Sequence, residues 1–299
     1  MGIASCDVQH IHMQHSLCML FLPLLSFLPP SKCYLQLKKH CSEHLSPYLA
    51  TIIHGFYCTP ENTVQSLIDT IYPRVSATQQ SDQYYADHTI LCSRNDDVHE
   101  LNKKILDSFP RDEKVYFSAD SISTGEGNGD QWDLMYPVEY LNTIQCSGLP
   151  LAKLTLKIGC PVMVLRNIDP SHGICNGTRG VVTRMQSRVI EIRLLTGEFK
   201  GKKAFVPRLS LNPQDTQIPF EFCRRQFPVN LCFTMTINKS QGQSVANVGL
   251  NLQSSVFTHG QLYVAISRVT ASQNIKAIWE ENKPNSVTKN IVYPEVIID

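Results

Sequence analysis

The apolar positions of this chain change period along its length. In Asn62–Tyr72 (NTVQSLIDTIY), Val64, Leu67, Ile68 and Ile71 fall at helical spacing, with Asn62 or Thr63 placed to cap the first turn. Thr89–Cys92 is a short apolar run that gives way to polar residues, the pattern of a buried strand ending in a loop. Asp96–Leu106 (DDVHELNKKIL) is helical again, with Val98, Leu101, Ile105 and Leu106 on one side. Asp96 and Asp97 then lie at the positive end of that helix. Strand, loop, helix is the repeating unit of an α/β sheet.

From Leu154 the period shortens. Pro161–Ile168, Arg179–Arg184, Val189–Leu195 and Lys203–Leu209 read as short strands separated by turns, the clearest at Asn176-Gly177 and Thr196-Gly197. Such closely spaced strands predict a small β-barrel. After Pro213 the α/β pattern returns, with a buried strand over Asn230–Ile237, a helix over Val256–Ser267 and a last strand over Ile275–Trp279. The expected architecture is an α/β domain interrupted by a β insertion and then resumed.

Composition refines this picture. A chain of 299 residues, 42% hydrophobic and 18% charged, has the make-up of a globular protein. The net charge of +1 is uninformative about a polyanionic partner, but its distribution is uneven. Arg179–Arg208 holds eight Lys/Arg against two Glu, whereas Asp96–Asp133 holds ten Asp/Glu against four Lys/Arg. The basic stretch is either a phosphate-binding surface or the solvated face of a strand. Eleven cysteines without a C-x-x-C pair argue against a disulfide framework and for a reducing compartment.

The first 58 residues differ from the rest. They contain Cys6, Cys18, Cys33, Cys41 and Cys58 together with six of the ten histidines. Only Cys41-x-x-His44 has the spacing of half a zinc site, and Cys33 lies too far upstream to complete it, so no metal ligand is assigned. The apolar run Leu17–Leu28 is too short to span a bilayer and contains Pro23. No positive n-region precedes it, which disfavours a signal peptide. Residues 1–59 are expected to be an irregular, poorly ordered lead-in.

Two segments carry the candidate chemistry. Thr236-Ile-Asn-Lys-Ser-Gln-Gly-Gln-Ser244 follows a strand and offers amides, hydroxyls and an amine at a sheet edge, where α/β proteins bind ligands. Gly242 allows close backbone approach. The alternative is an ordinary polar loop. Gly260-Gln-Leu-Tyr-Val-Ala-Ile-Ser-Arg-Val269 reads as a buried helix with Arg268 as its only charge. An arginine there either stabilises charge on a transferring phosphoryl group or closes the helix end with a salt bridge.

Together these segments resemble the last two motifs of superfamily-one DNA helicases of the Pif/RecD type. Ile90-Leu-Cys-Ser-Arg-Asn-Asp-Asp-Val98 resembles the preceding block of their second motor domain. Leu149–Leu211, with Gly159–Asn167 and Cys175-Asn-Gly-Thr-Arg179, is similar to their inserted 2B domain of SH3-like fold. Arg224-Arg-Gln-Phe-Pro228 leads into Thr236 as in the same family. Asn238 stands where many members have His, a variant common in the helitron transposon branch. The resemblance runs from about Pro60 to Ile278.

It implies a RecA-like second motor domain, of P-loop NTPase type, interrupted by a small SH3-like β-barrel. The implied division is 1–59 lead-in, 60–148 first part of the motor domain and connector, 149–211 barrel and 212–299 remainder of the motor domain. Arg268 would be the arginine finger. Gln241, Gly242 and Tyr263 would lie at the ATP cleft. Thr236, Asn238, Lys239, Ser240, Ser244 and His259, with Arg94 and Asn95, would line the path of single-stranded DNA, and the basic barrel stretch would close over it. ATP and magnesium would be the cofactors, the nucleus the compartment, and DNA repair or recombination the setting.

The motif that binds triphosphate in this family, G-x-x-x-x-G-K-[S/T], does not occur. Gly201-Lys202 is followed by Lys203, and the Gly-rich Ser123–Asp130 loop has no lysine. Asp112-Glu113 follows no apolar strand, so an acidic magnesium ligand is also missing. The resemblance therefore implies the C-terminal part of a 5′-to-3′ helicase whose first RecA-like domain is supplied in cis or in trans. The competing expectations are a non-enzymatic single-strand-binding module and an inactive transposon remnant.

Overall fold

The computed structural model describes residues 48–52, 57–58, 61–73, 75, 80–122, 136–213, 218–269, 271–280 and 287–291. The Leu17–Leu28 run, the histidines and most of the cysteines of the first 58 residues, and the Ser123–Asp130 loop lie outside them.

Strands β1 (Tyr48–Ile52) and β2 (Tyr57–Cys58) precede helices α1 (Val64–Ile71) and α2 (Asp82–Asp87). Both strands fall in the span that the sequence leaves irregular. Strand β3 (His88–Cys92) runs into α3 (Asn95–Ser108), and β4 (Glu113–Phe117), β5 (Ala119–Ile122) and α4 (Val138–Thr143) follow. The β-rich stretch comprises β6 (Lys153–Lys157), β7 (Pro161–Val164), β8 (Arg179–Met185), β9 (Val189–Leu194), β10 (Lys203–Pro207) and β11 (Leu209–Leu211). Strands β12 (Phe222–Gln226), β13 (Val229–Leu231) and β14 (Thr234–Thr236) bring the chain back. Last come β15 (Asn247–Leu252), α5 (Gln261–Ile266), β16 (Ile275–Trp279) and β17 (Val287–Ile291).

Five parallel strands in the order β14-β3-β15-β16-β2 form the α/β layer. The central strand β15 has no partner in the sequence reading, which passes over it. Its apolar residues are buried, and Gly249 lets α1 lie against it: a Cβ there would come within 2.9 Å of Ile71 Cγ1. Helix α1 starts at Thr63, whose hydroxyl accepts from Ser66 N, while Asn62 instead exchanges hydrogen bonds with the Trp279 backbone.

A second sheet, β10-β9-β8-β7-β13, is antiparallel throughout, with left-handed glycines at the predicted turns (Gly177, φ 88°; Gly197, φ 81°). Two small antiparallel sheets, β11-β12-β5 and β4-β6, flank it.

Two predicted elements differ. The single strand expected over Asn230–Ile237 is two strands in two sheets: β13 pairs with β7 of the second sheet, β14 with β3 of the parallel one. The side chain of Asn102 holds the crossing. Its amide donates to Leu231 O (3.2 Å) and Thr234 O (3.1 Å), and its Oδ1 accepts from Thr234 N (2.9 Å). It thereby satisfies backbone groups that a continuous ladder would have paired. The helix expected over Val256–Ser267 is confined to Gln261–Ile266, because Gly260 before it is left-handed (φ 68°) and Gln261 Oε1 accepts from Phe257 N (2.9 Å).

Buried guanidinium groups join the sheets. Arg224, 1% exposed, pairs with Asp120 and donates to the carbonyls of Leu141, Ile144 and Pro150. Arg179 in β8, equally buried, donates to Tyr85 O (2.6 Å), Ala86 O (3.3 Å) and His88 O (3.3 Å) at the entry to β3. The barrel strand is thereby anchored to the parallel sheet. Replacing Arg179 with Met removes the donor to Tyr85 O and Ala86 O, whereas His88 O keeps the Tyr72 hydroxyl (3.2 Å). Urea denaturation should show a loss of ~2 kcal/mol or more, at about 1 kcal/mol or more for each of the two carbonyls.

Candidate functional site

The candidate residues gather at the carboxyl ends of β14, β3 and β15. After Thr236 the backbone turns at once into a 3₁₀ turn, Ile237–Ser240, with Ile237 buried beneath it. Asn238, Gln241, Gly242 and Ser244 are exposed and Lys239 is half-buried. Gly242 is left-handed (φ 78°), with open space where a Cβ would stand. The loop thus presents backbone and amides outward, as its composition predicts.

Thr236 and Ser240 do not face outward. Thr236 is 9% exposed, and the fully buried Ser240 hydroxyl donates to Ile237 O (2.6 Å). The Ser240 hydroxyl, expected on the DNA path, is thereby directed inward to the turn's own backbone.

Arg268 lies directly behind the loop. Its Nε donates to Val264 O (2.9 Å), one terminal nitrogen to Ser240 O and Gln243 O (3.2 Å each), and the other to Ser267 Oγ (2.8 Å). Val245 N in turn donates to Arg268 O (3.1 Å). Among the described residues no carboxylate takes part, so carbonyls and a hydroxyl hold this side chain in place of the salt bridge weighed from sequence. Partial burial pulls its pKa down from the usual arginine value, while Tyr263 acts in the opposite sense. A guanidinium remains charged regardless.

Arg94 and Asn95, both exposed, begin α3 at the end of β3. Gln261 was not singled out from sequence. It is 2% exposed, and its amide donates to Ser93 O (3.5 Å), linking α5 to the end of β3. Ser93 Oγ adds a bond to Ser254 O (2.9 Å). Its position one residue after Gly260 is the only sequence cue to this role. His259 and Tyr263 are half-buried on the same side.

The basic stretch is largely engaged within the fold. Arg179 is the buried anchor, and Arg193 pairs with Asp82 and Lys203 with Glu191. Lys200 bonds Gln83, Lys202 lies over the Phe199 ring, and Arg208 donates to Phe117 O over the Phe227 ring. Arg184 and Arg188 remain exposed. Two of these cations are therefore neutralised by carboxylates, Asp82 from α2 and Glu191 from β9, while Lys200, Lys202 and Lys203 stay exposed.

Lys239 contrasts with them. Among the described residues it has no ion pair, and its ammonium no hydrogen bond. Burial pulls its pKa below the ordinary lysine value, partly countered by Cys232.

Residues 139–185 match the family described as DNA helicase Pif1, 2B domain. The ATP-dependent DNA helicase Pif1 of Bdellovibrio bacteriovorus is 34% identical over 159 residues, which are 53% of this chain and 34% of that protein. The human ATP-dependent DNA helicase PIF1 is 30% identical over 193 residues, 64% of this chain and 27% of that protein. The chain thus spans about a third or less of these relatives. The crystal structure of the Pif1 helicase from Candida albicans superposes with a TM-score of 0.50 at 22% identity, covering 79% of this chain and 53% of that one. The fold is accordingly a RecA-like α/β domain with a 2B-type β-barrel inserted, as the sequence predicts.

An unpaired lysine drawn into this edge weakens the fold. Its depressed pKa means that the unfolded chain binds protons more readily, so the penalty is complete at neutral pH and fades only as pH rises through the folded-state value. Lys239→Met should therefore raise the melting temperature, by ~2–4 °C if about 1 kcal/mol is recovered, in a calorimetric scan at neutral pH.

Proposed function

We propose that this chain is the C-terminal motor part of a Pif1-type ATP-dependent 5′-to-3′ DNA helicase, binding single-stranded DNA on the 237–244 loop and supplying Arg268 as arginine finger. The observation that carries this reading is the bond set from Arg268 to Ser240 O and Gln243 O, by which Arg268 touches the loop that offers Lys239. The helicase names of the relatives and the 2B-type barrel support the same reading. The helitron branch rests on Asn238 alone, and the nuclear setting on the family.

In the mechanism, Lys239, Asn238 and Ser244 face the phosphodiester backbone and hold it without reading bases, while Gln241 and Gly242 turn to the nucleotide. Thr236, Ser240 and Gln261 position that surface. Arg268 keeps its guanidinium charged and aimed by Val264 O and Ser267 Oγ while its other bonds go to loop carbonyls. A γ-phosphate offered by a first RecA-like domain would compete for those same donors, since charge-assisted bonds to phosphate are roughly twice as strong as neutral ones. Exchange of Ser240 O and Gln243 O for phosphate oxygens frees the loop, so nucleotide occupancy and grip on DNA become linked. Magnesium prefers carboxylate, phosphate and water oxygens. The donors assembled here are cations and amides, so these residues do not fit the ion, and no step passes through it on this chain.

The reading is tested by fluorescence anisotropy with labelled single-stranded DNA across a salt series. Lys239→Ala should weaken binding about tenfold and reduce the salt slope by ~0.7, one phosphate contact on a single strand. Unchanged affinity and slope would remove Lys239 from the DNA path. Arg268→Ala should bind DNA within about threefold of the unmodified chain. Fused behind the first motor domain of the Bdellovibrio relative, it should lose ATP turnover by ~10³ or more. Retained turnover in that fusion would exclude the finger role.

A further inference from the structure

We infer that His99 and Lys239 together form a seat for one backbone phosphate of single-stranded DNA, with His99 taking up a proton as the phosphate binds. The inference rests on the DNA-binding reading of the 237–244 loop and adds a ligand that no motif contains.

The geometry begins with α3. Asn95, His99 and Asn102 recur at helical spacing along one face of it. Asn102, at the far end of that face, is fixed to Leu231 O and to Thr234, and Thr234 Oγ donates to Val98 O (3.0 Å). Helix α3 starts at the carboxyl end of β3 and runs back along the sheet, so one turn before Asn102 its face reaches the end of β14. There the 3₁₀ turn places Lys239 near enough to His99 to act on its charge.

Neither group has a partner of its own. Among the described residues the imidazole of His99 and the ammonium of Lys239 make no hydrogen bond, and neither joins an ion pair. Both are half-buried. Burial and Lys239 hold the His99 pKa below its ordinary value, and Asp96 on the same helix pulls the other way. Strand β14 carries no charged residue, and the charged groups that act on the ring are Lys239 and Asp96.

Two basic groups brought together without an anion disfavour each other's charged forms. An anion seated between them reverses this, pairing with Lys239 and stabilising the imidazolium, so that the ring donates to the same phosphate. Linkage then fixes the sign: free His99 titrates low and bound His99 higher, so binding takes up a proton and tightens as pH falls across the histidine range.

The test uses the full chain, a fluorescein-labelled oligomer of thymidine and anisotropy at about pH 8 and about pH 5.8, spanning the histidine range. The unmodified chain should bind about tenfold tighter at the lower pH, with a salt slope steeper by ~0.7. His99→Gln should match it at the higher pH and lose most of the tightening, with an unchanged melting temperature. His99→Lys should bind at the higher pH nearly as the unmodified chain does at the lower. If His99→Gln keeps the full tightening and slope change while Lys239→Ala still weakens binding, the phosphate seat is wrong and the DNA-binding reading stands. If the unmodified chain binds the oligomer at neither pH, both fail.

Discussion

The structure depends on a chain that leaves a parallel sheet, builds an antiparallel one and returns to the same sheet. Leaving and returning strip backbone groups of their ladder partners at the crossing. Side chains meet that need. Asn102 serves three backbone groups between β13 and β14, and Arg179 reaches back from β8 to the carbonyls that precede β3. A guanidinium without a carboxylate is an expensive group to bury. It is tolerated here because its hydrogens go to the carbonyls of Tyr85, Ala86 and His88. The consequence is a fixed register between the barrel and the α/β layer, and therefore a fixed position for β14, which begins just after the crossing.

That position governs the site. Because β14 pairs with β3 in parallel, Thr236 ends level with Cys92, and the polar loop after one and the helix after the other open on the same edge. Arg268 then closes the assembly from α5, holding Ser240 and Gln243 by their carbonyls. A cationic side chain satisfied by neutral carbonyls is held less firmly than one in an ion pair, so it remains available to a more strongly charged acceptor. Lys239 is the opposite case. It sits half-buried without an ion pair and is a poor contribution to stability, which is the expected condition of a group whose partner is a ligand.

The α/β frame was readable from the sequence wherever an element carries its own period. Helix α3, strands β3 and β16 and the turns at Gly177 and Gly197 follow from spacing and glycine placement alone. The edge loop was readable as well, because polar residues immediately after a buried apolar run mark a strand end. Three features were not. Strand β15 is the centre of the sheet, yet in its segment Asn247–Leu252 the apolar residues alternate with Asn and Gly, both poor strand formers, which mask its period. The break at Cys232-Phe233 is hidden inside one continuous apolar run. Gln261 reads as a polar residue at the start of a helix, and its burial depends on Ser93, far away in the chain.

The sequence by itself determined the order of elements and the chemical character of the edge loop, since apolar period, turn glycines and residue type are local properties. Which donors remain available was decided only by the tertiary structure. The Ser240 hydroxyl is turned inward to Ile237 O, much of the basic stretch meets partners from α2 and from neighbouring strands, and Asn102 pins α3 to β14 on the side from which Lys239 acts on His99. Charge and hydrogen-bonding capacity are written in the sequence. Whether a group is satisfied depends on partners distant along the chain, and only the fold brings them together.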